Sequence, residues 1–524
     1  MSKVFFYVVF ALSLALTGFL GWNLFETHLL SGQILVIGLA ALLLIPLLMF
    51  LLQKEKKGKT KKNGFRVVAI VILLFFSLVE GAVSFYVFKY NTKMDEVTEV
   101  RTQYTEIKVY VKQDENSDRR IQIAYAVESE YVFGTISNVD TEAVEHARQE
   151  LEKKYGRTIR LQAYGSLMDL VKALDEGQVD ALLISTGYFD LIDSLPGYEE
   201  YTEKLYAVED YSASVQTEIL PQPAVINPEI QEEVVQTMQD PELWENSFCA
   251  YLSGIDTFGP VTVRARSDVN VLAVVNTETK TVLLIATPRD YYVPFNFQPA
   301  GGALDKLTHS GVYGIEGSMQ ALGDFYGLPI QYYLRVNFSG FIDVIDLLGG
   351  VDVESDADFN YGKYYYHKGV NHLNGHQALG FVRNRKSFIE GDRARGRHQM
   401  AVIKGIINSL RSSKILTNYT ELMDQMSGCF QTNASKSMIG ELVQLTMDPG
   451  KPDWNVLTYS VDGWGESNYT YTLGCYAYVM VPDPVTVEYA RSLAISVASG
   501  EILTQDQIRE NAPVHEKLPP SARG

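Results

Sequence analysis

Five arginines fall within fifteen residues of a chain whose net charge is −18. They occupy the segments FVRNRK (381–386) and GDRARGRHQ (391–399). Guanidinium groups present planar pairs of donors that match phosphate oxygens, and several that converge on one point suit a pyrophosphate. Because few acidic residues lie nearby to neutralise them, this cluster predicts an anion site.

A helix that begins at Asp392 would divide these arginines between two faces. At 100° per residue, Asp392, Arg395 and Gln399 share one stripe with the isoleucines that follow. Arg393 and Arg397 lie on another face, where solvated ion pairs explain them. A charged group on the stripe that faces the core is costly to bury without a partner. We therefore expect Arg395 and Gln399 to bind the anion.

Strand ends supply more groups of the same kind. Arg266 and Asp268 stand at the start of one predicted strand, and Arg289 stands at the end of another. Asp256 closes the strand FCAYLSGID. Two carboxylates beside arginines fit a Mg²⁺ shared between protein and phosphate oxygens. Strand-end aspartates are also ordinary turn residues, so this pattern alone leaves both interpretations open.

Three long apolar runs precede these residues, at 4–22, 29–52 and 67–88. Each has the length that crosses a bilayer, although the third contains Glu80. Segment 54–66 between the last two carries six lysines and one arginine. The positive-inside bias predicts a multi-pass protein of the cell membrane with a cytoplasmic amino terminus. The large carboxyl-terminal part is then extracellular.

Charge is divided unevenly along the chain. Residues 1–90 contain nine basic and three acidic residues, whereas the remainder contains 36 basic and 60 acidic ones. Phosphate contacts with nucleic acid need a basic face, so the composition argues against a nucleic-acid partner.

The chain is predicted to contain five regions. Residues 1–90 hold three transmembrane helices and a cytoplasmic loop, 53–66. A connector, 91–104, leads to an α/β accessory domain with its linker, 105–245, in which IQIAYAV (121–127) is predicted as a strand. Residues 246–500 form the catalytic domain, and 501–524 a flexible tail. The predicted fold class is α/β (α+β), with a mixed sheet flanked by helices.

Two predicted helices of the catalytic domain are rich in bulky apolar residues. They are SMQALGDFYG (318–327) and FSGFIDVIDLLGG (338–350). An ordinary core explains them, and so does an apolar pocket for a lipid-linked substrate.

Cys249, Cys429 and Cys475 are the three cysteines. Cys249 lies in a strand predicted to be buried, so the pair able to form an extracellular disulfide is Cys429–Cys475. Three free thiols are the alternative.

Several motifs resemble, in the same order, those of the LytR-CpsA-Psr proteins of the Gram-positive envelope. The similarity runs over about 248–495, and its motifs are SGIDTFGPVTVRARSDVNVL, TPRDYYVP, DKLTHSGVYGIEGS, YYLRVNFSGFIDVIDLLGGVDV, LNGHQALGFVRNRK and GDRARGRHQ. The three-span amino terminus and the α/β insert resemble the capsule-associated branch, of the CpsA or Wzg type.

The resemblance implies a transferase that moves a glycopolymer from undecaprenyl pyrophosphate to peptidoglycan through a phosphodiester. It implies Mg²⁺, or Mn²⁺ in its place, on Asp256 and Asp268. It gives catalytic roles to Arg289, Asp392 and Arg395. The residues that it assigns to the pyrophosphate are Arg266, Arg289, Arg383, Arg385, Arg395 and Gln399.

Some roles stay open. Lys306 lies in the matching DKLTH stretch without a defined role, and Asp290 and Asp392 are candidates for the general base. Capsular polysaccharide is the expected polymer, and other capsule assembly proteins are possible partners. The same residues would serve a polyprenyl-pyrophosphate hydrolase, and a regulator that binds polyprenyl lipid without turnover is a further alternative.

Overall fold

A computed structural model describes most of the chain. The described residues are 3–30, 32–53, 63–113, 121–137, 139–219, 237–238, 240–255, 260–384, 392–409, 428–448, 450 and 452–515, without the side chains of 3, 53, 63–65, 392 and 393.

The described residues form both helices and strands. The helices are α1 (Lys3–Glu26), α2 (Gly32–Gln53), α3 (Asn63–Val97), α4 (Ile123–Glu128), α5 (Thr141–Tyr155), α6 (Leu167–Asp175), α7 (Thr186–Phe189), α8 (Ile315–Tyr326), α9 (Phe338–Leu347), α10 (Gly375–Arg383), α11 (Asp392–Ser409), α12 (Lys436–Met447), α13 (Pro484–Ala498) and α14 (Gln505–Asn511). The strands are β1 (Thr102–Lys112), β2 (Val132–Ile136), β3 (Arg160–Tyr164), β4 (Ala181–Ser185), β5 (Leu205–Glu218), β6 (Ser247–Ile255), β7 (Ser267–Asn276), β8 (Thr281–Ala286), β9 (Tyr292–Phe295), β10 (Ala303–Lys306), β11 (Ile330–Val336), β12 (Val351–Ser355), β13 (Phe359–Tyr361), β14 (Tyr364–Tyr366), β15 (Gly369–Leu373), β16 (Phe430–Thr432), β17 (Asn455–Ser460), β18 (Gly463–Thr470) and β19 (Cys475–Pro482).

The chain divides into two compact units, and the first contains α1, α2, α3 and α12. Three of its segments are long and apolar enough to cross a membrane: Val4–Glu26, Gly32–Leu52 and Arg66–Val97, with mean hydropathy of 2.2, 3.0 and 2.5. Glu80 of α3 is buried and accepts a hydrogen bond from Thr17 Oγ1 of α1 at 2.6 Å. An acidic residue within an apolar helix is expected to face the bundle in this way.

The second unit contains two larger sheets. The first has the strand order β3-β2-β4-β1-β5, with β2 parallel to β3 and β4, and β1 antiparallel to its neighbours. The second has the order β16-β11-β6-β7-β8-β17, with β6–β7–β8 antiparallel and the pairs β11–β6 and β8–β17 parallel. Both sheets are mixed and carry helices, so the predicted fold class is confirmed.

One apolar core joins the two sheets of this unit. It includes Leu170 and Leu191 from the accessory α/β region together with Tyr251, Leu283 and Phe295 from the region of the larger sheet. The accessory region and the catalytic region, which were predicted as separate domains, therefore bury apolar surface against each other.

Three sequence predictions were wrong in detail. IQIAYAV was predicted as a strand but contains the short helix α4, in which Ile123, Ala126 and Val127 are buried at helical spacing. The strand of this region is β2, which follows α4. The predicted connector 91–104 is helical as far as Val97, and β1 begins within it. The predicted tail contains α14, whose Ile508 is buried.

The cysteines are free thiols, so the expected Cys429–Cys475 disulfide is not formed. Cys429 lies against Gly340 of α9, whereas Cys475 opens β19 in the electrostatic field of Lys306. Their different neighbours explain why they do not pair. Cys249 is fully buried in β6, as predicted.

Candidate functional site

Two of the predicted strand-end residues, Asp268 and Arg289, lie close together at one edge of the six-stranded sheet. Strands β7 and β8 are antiparallel, so the start of β7 and the end of β8 lie side by side. Asp268 is the second residue of β7, and Arg289 follows β8 by three residues. Arg289 Nη1 donates to both carboxylate oxygens of Asp268, at 3.0 and 2.9 Å. The two side chains are largely buried, with 17% and 18% exposed.

Helix α11 passes over the same edge of the sheet. Met400, Ile403 and Ile407 pack it against β7 and β8. At Gly396 the helix comes so close that a Cβ would lie 3.4 Å from Ala286 Cβ and 3.6 Å from Ser460 Oγ. Those two residues end the parallel strands β8 and β17. The helix therefore places the residue before Gly396, which is Arg395, beside the strand ends.

The charges of several arginines act on the carboxylate of Asp268. Burial alone would raise the pKa of Asp268, but the positive charges of Arg289, Arg266 and Arg395 outweigh it and lower the pKa to about 2. A buried carboxyl is held ionised in this way only when cations stand close to it. Three of the six arginine and glutamine residues predicted for the pyrophosphate thus act on the charge of Asp268, and Arg289 contacts it directly.

A lysine and a second carboxylate extend the cluster. Asp290 lies 3.9 Å from Arg289 Nε and 3.9 Å from Lys306 Nζ. Burial lowers the pKa of the Lys306 ammonium; the charge of Arg289 adds to the fall, and that of Asp290 opposes it. The charge of Asp305 also opposes the fall. Among the described side chains, Arg266, Arg289, Arg395 and Lys306 thus belong to one charged cluster with Asp268 and Asp290. Several cations in one cluster suit a multiply charged anion.

Thr308 also belongs to this cluster, although it was not predicted from the sequence. Thr308 Oγ1 donates to Asp268 at 3.2 Å, and its backbone N–H donates to the carbonyl of Arg289 at 2.8 Å. Thr308 therefore fixes both members of the central ion pair. Its position in the DKLTH motif, two residues after Lys306, was the available signal.

The division of α11 into two faces is reproduced for the side chains that the structure describes. Arg395 and Gln399 are 7% and 8% exposed. Arg397 is 39% exposed and pairs with Asp356 through Nε at 3.0 Å. The backbone of Asp392 begins α11, and its side chain lies outside the described residues.

A buried histidine on α11 was not singled out from the sequence. His398 is 1% exposed; its ring stacks on Phe359, with centroids 5.1 Å apart, and lies tilted against Phe381, with centroids 4.3 Å apart. His398 and then Arg397 hold the pKa of Asp356 well below its ordinary value. These contacts fix the side of α11 that turns away from Arg395.

The remaining predicted site residues fall into two groups. Arg383, the last residue of α10, is exposed and lies over the ring of Phe338, 4.7 Å from its centroid. Asp256 and Arg385 lie outside the described residues. Their predicted roles therefore stay predictions.

The described residues allow a limited test of the expected Mg²⁺ site. Among them no group of three or more histidine, cysteine, aspartate or glutamate residues stands at metal-ligand geometry. Asp268 is a suitable oxygen ligand, but it already accepts from Arg289 and Thr308. The Mg²⁺ site therefore stays a prediction.

The two apolar helices α8 and α9 differ in how far they are buried. Nearly every side chain of α8 is buried, whereas α9 keeps Phe338 and Phe341 partly exposed. The lipid pocket stays a prediction.

The sequence is similar to that of known proteins over the part of the chain that contains this site. The LytR_cpsA_psr family matches residues 225–480. TagT of Bacillus subtilis strain 168, a polyisoprenyl-teichoic acid–peptidoglycan teichoic acid transferase, is 32% identical over 222 residues, which make up 40% of this chain and 67% of TagT. This chain belongs to the LytR-CpsA-Psr family. Every described residue of the arginine cluster lies inside the matched region of this LytR-CpsA-Psr protein.

Two further similarities cover the same part of the chain. TagU of Bacillus anthracis, a transferase of the same description, is 32% identical over 180 residues, or 34% of this chain and 58% of TagU. The chain thus spans less than two thirds of that LytR-CpsA-Psr relative. The crystal structure of B. subtilis TagV aligns with 49% of this chain and 99% of its own, at 24% identity and a TM-score of 0.41.

Proposed function

We propose that this protein is a membrane-anchored transferase. It moves a glycopolymer from a polyprenyl-pyrophosphate carrier to peptidoglycan and leaves a phosphodiester link. The observation that carries the proposal is the buried ion pair of Arg289 with Asp268, whose carboxylate also lies in the electrostatic field of Arg266 and Arg395. The relatives TagT and TagU, named for transfer of teichoic acid from a polyisoprenyl carrier to peptidoglycan, support the reaction class.

The chemistry requires charge neutralisation more than a nucleophilic side chain. A hydroxyl oxygen of the acceptor attacks the phosphorus on the glycan side of the pyrophosphate. The bridging P–O bond breaks, polyprenyl monophosphate leaves with the bonding electrons, and the hydroxyl proton passes to a base or to water. Phosphoryl transfer of this kind is accelerated mainly by positioning and by cations that hold the developing charge.

The described cations suit separate parts of this reaction. Arg289 is held by Asp268 and Arg395 is buried, so both meet the anion without a large reorganisation. Arg266 adds positive charge near Asp268, and Lys306 adds it near Asp290. Asp290, between two cations, fits an orienting role better than that of a general base.

A divalent cation completes the proposal. Asp268 and Asp256 are the residues that would hold Mg²⁺, or Mn²⁺, which would neutralise phosphate charge when bound. Capsular polysaccharide is the proposed polymer, on the basis of the three-span amino terminus and the accessory α/β region.

The proposed location follows from the distribution of charge. The lysine-rich segment 54–66 lies on the cytoplasmic side. The region that follows α3, with the arginine cluster, then lies outside the membrane, where peptidoglycan is found.

Reconstitution tests the proposed function. The full chain in lipid nanodiscs receives Mg²⁺, a lipid-pyrophosphate glycan and soluble peptidoglycan fragments, and glycan joined to peptidoglycan is measured by mass. We expect the wild type to form joined product. Arg395→Ala is expected to lower the rate of its formation by about 10²–10³-fold.

Two other outcomes would overturn the proposal. Free glycan phosphate without joined product identifies a hydrolase. Tight binding of the lipid carrier without any turnover identifies a lipid-binding regulator.

A further inference from the structure

The accessory α/β region contacts the segment that leads into the arginine cluster. Segment 261–266 runs directly into β7, which carries Asp268. Tyr104 of β1 donates its N–H to the carbonyl of Thr262 at 2.9 Å, and its carbonyl accepts from the N–H of Arg264 at 3.2 Å. The first strand of the accessory sheet thus extends along this segment as a short parallel bridge.

The side chain of Arg264 is held by the accessory region as well. Arg264 Nη1 donates to Asp140 Oδ1 at 3.1 Å, and Nη2 lies 3.4 Å from Thr217 Oγ1. Asp140 is only 6% exposed and Arg264 17%. Arg264 Nη2 is also 3.8 Å from Glu316, which places it between an acid of each region.

Burial makes this ion pair costly to break. It raises the pKa of Asp140, while the charge of Arg264 opposes the rise. Asp140 also stands at φ 46°, in the left-handed region that a side-chain-bearing residue adopts only when its surroundings hold it there. Removing either partner would leave the other charge buried.

The opposite side of the segment is fixed by the catalytic region. Gly311 packs against the carbonyl of Ala265 and the N–H of Ser267 so closely that a side chain would clash with the backbone. Gly311 belongs to the turn of 3-10 helix Leu307–Tyr313, which also contains Thr308. Buried Arg335 donates from Nη2 to the carbonyl of Val263 at 3.0 Å. The segment therefore has little freedom once the accessory region is in contact.

An ion pair that only joined two regions could lie anywhere on their shared surface. Arg264 instead lies two residues before Arg266 and four before Asp268. Segment 264–266 leads from Arg264 directly to the start of β7, so a shift of the backbone at Arg264 would alter the position of Arg266 and Asp268.

We propose that Asp140 is a positioning residue of the site: by holding Arg264, the accessory region sets the orientation of Arg266 and Asp268 for the lipid-linked pyrophosphate. The accessory region is thereby a structural part of the phosphate site. This inference rests on the proposed function, because it takes the anion at the arginine cluster to be the pyrophosphate of the substrate.

Binding of inorganic pyrophosphate to the full chain in nanodiscs tests the inference without turnover. Titration calorimetry compares the wild type with Asp140→Asn, Arg264→Gln and the double variant, and thermal unfolding is followed in parallel. Each single variant is expected to weaken binding by about tenfold or more, and the double variant by no more than a single one, because both act through one contact.

A matched control comes from the same region. Glu130 forms an exposed ion pair with Arg160 at 2.6 Å, with 57% and 60% of the side chains exposed. Glu130→Gln is expected to bind pyrophosphate as the wild type does.

The inference would be overturned if Asp140→Asn bound pyrophosphate as tightly as the wild type under conditions in which Arg395→Ala did not bind it. If Asp140→Asn does not fold, Arg264→Lys decides, since it keeps the charge and loses the paired donors. Reduced binding supports the inference and unchanged binding overturns it. Failure of the proposed function is seen separately, as wild-type protein that binds pyrophosphate but joins no glycan to peptidoglycan.

Discussion

At the scale of single residues, Asp268 organises the arginine cluster. The ionised carboxylate of Asp268 holds Arg289 by two hydrogen bonds before substrate arrives. The charges of Arg266 and Arg395 stabilise its ionised form. The cluster is thus organised in advance for the proposed phosphate ligand.

The pKa of Asp268 leads to a prediction about stability. The folded-state pKa of about 2 is below the ordinary value of 3.8, so the ionised group stabilises the fold above pH 3.8. This contribution is about 2 kcal/mol at neutral pH and falls to about half of that near pH 3. Asp268→Asn should therefore lower the free energy of unfolding at pH 7 and approach the wild type as the pH falls toward 2.

Thermal unfolding in detergent between pH 7 and pH 3 measures this difference. Asp506→Asn, at an 84% exposed carboxyl on α14, is the control and should show no such narrowing. A difference between Asp268→Asn and the wild type that stays constant with pH would contradict the assigned environment.

A second residue-scale prediction separates two arginines of one helix. Arg395→Ala should lower transfer by about 10²–10³-fold, because it removes a preorganised cation from the phosphate site. Arg397→Ala should lower transfer by less than about threefold, since its exposed pair with Asp356 contributes little. Initial rates at saturating donor and acceptor make the comparison. Equal losses in the two variants would contradict the division of α11 into two faces.

Single residues were predictable where one helix or one strand end set their environment. Arg395 was separated from Arg397 by helical periodicity alone. Asp140, in contrast, lies 124 residues from its partner Arg264. Nothing in the pattern of either segment specifies that pairing, because it depends on how two sheets come together.

Helix α11 is the element on which the site depends most, and its glycines show how closely it is packed. A Cβ at Gly405 would lie 2.7 Å from the carbonyl oxygen of Asp352, which is backbone of β12 and has little room to move. A Cβ at Gly396 would make ordinary contacts at 3.4 and 3.6 Å.

Gly405→Ala should therefore shift α11 and reduce both stability and transfer, whereas Gly396→Ala should preserve both. Each substitution gains the same helix propensity, about 1 kcal/mol, so the comparison isolates the packing. Unfolding midpoints and transfer rates of the two variants are the measurement. A fully active Gly405→Ala protein would show that the position of α11 is not fixed by β12.

Elements were predictable where their periodicity extended over several turns or a whole strand. Helix α11 begins at Asp392, as predicted, and β6 and β7 are the strands predicted around FCAYLSGID and from Asp268. Helix α4 was taken for a strand because it has only six residues, too few for one period to exclude the other.

At the scale of the whole molecule, the shared core makes the accessory region part of the catalytic unit. Periodicity shows that Leu170 or Leu283 is buried, but not that both belong to one core. This explains why two domains were predicted where the structure forms one unit. The family and the order of its motifs were predictable, since they depend on local sequence.

The proposed topology gives a prediction for intact cells. With the native cysteines replaced by serine, Ile502→Cys, at a position that is 71% exposed, should react with a membrane-impermeant maleimide from outside. Lys57→Cys, in the basic segment, should react only after permeabilisation, because the positive-inside bias places that segment in the cytoplasm. The reverse pattern of labelling would contradict the proposed orientation.

The central claim is that the arginine cluster breaks the pyrophosphate bond of a lipid carrier during transfer. The mass of the polyprenyl product tests it most directly. Purified full-length protein is incubated with lipid-pyrophosphate glycan and peptidoglycan fragments, and the lipid is extracted once joined product has formed. The account predicts polyprenyl monophosphate in equal amount to a joined product that retains one phosphate. Release of polyprenyl pyrophosphate, with joined product that lacks phosphorus, would show cleavage at the sugar instead and would contradict it.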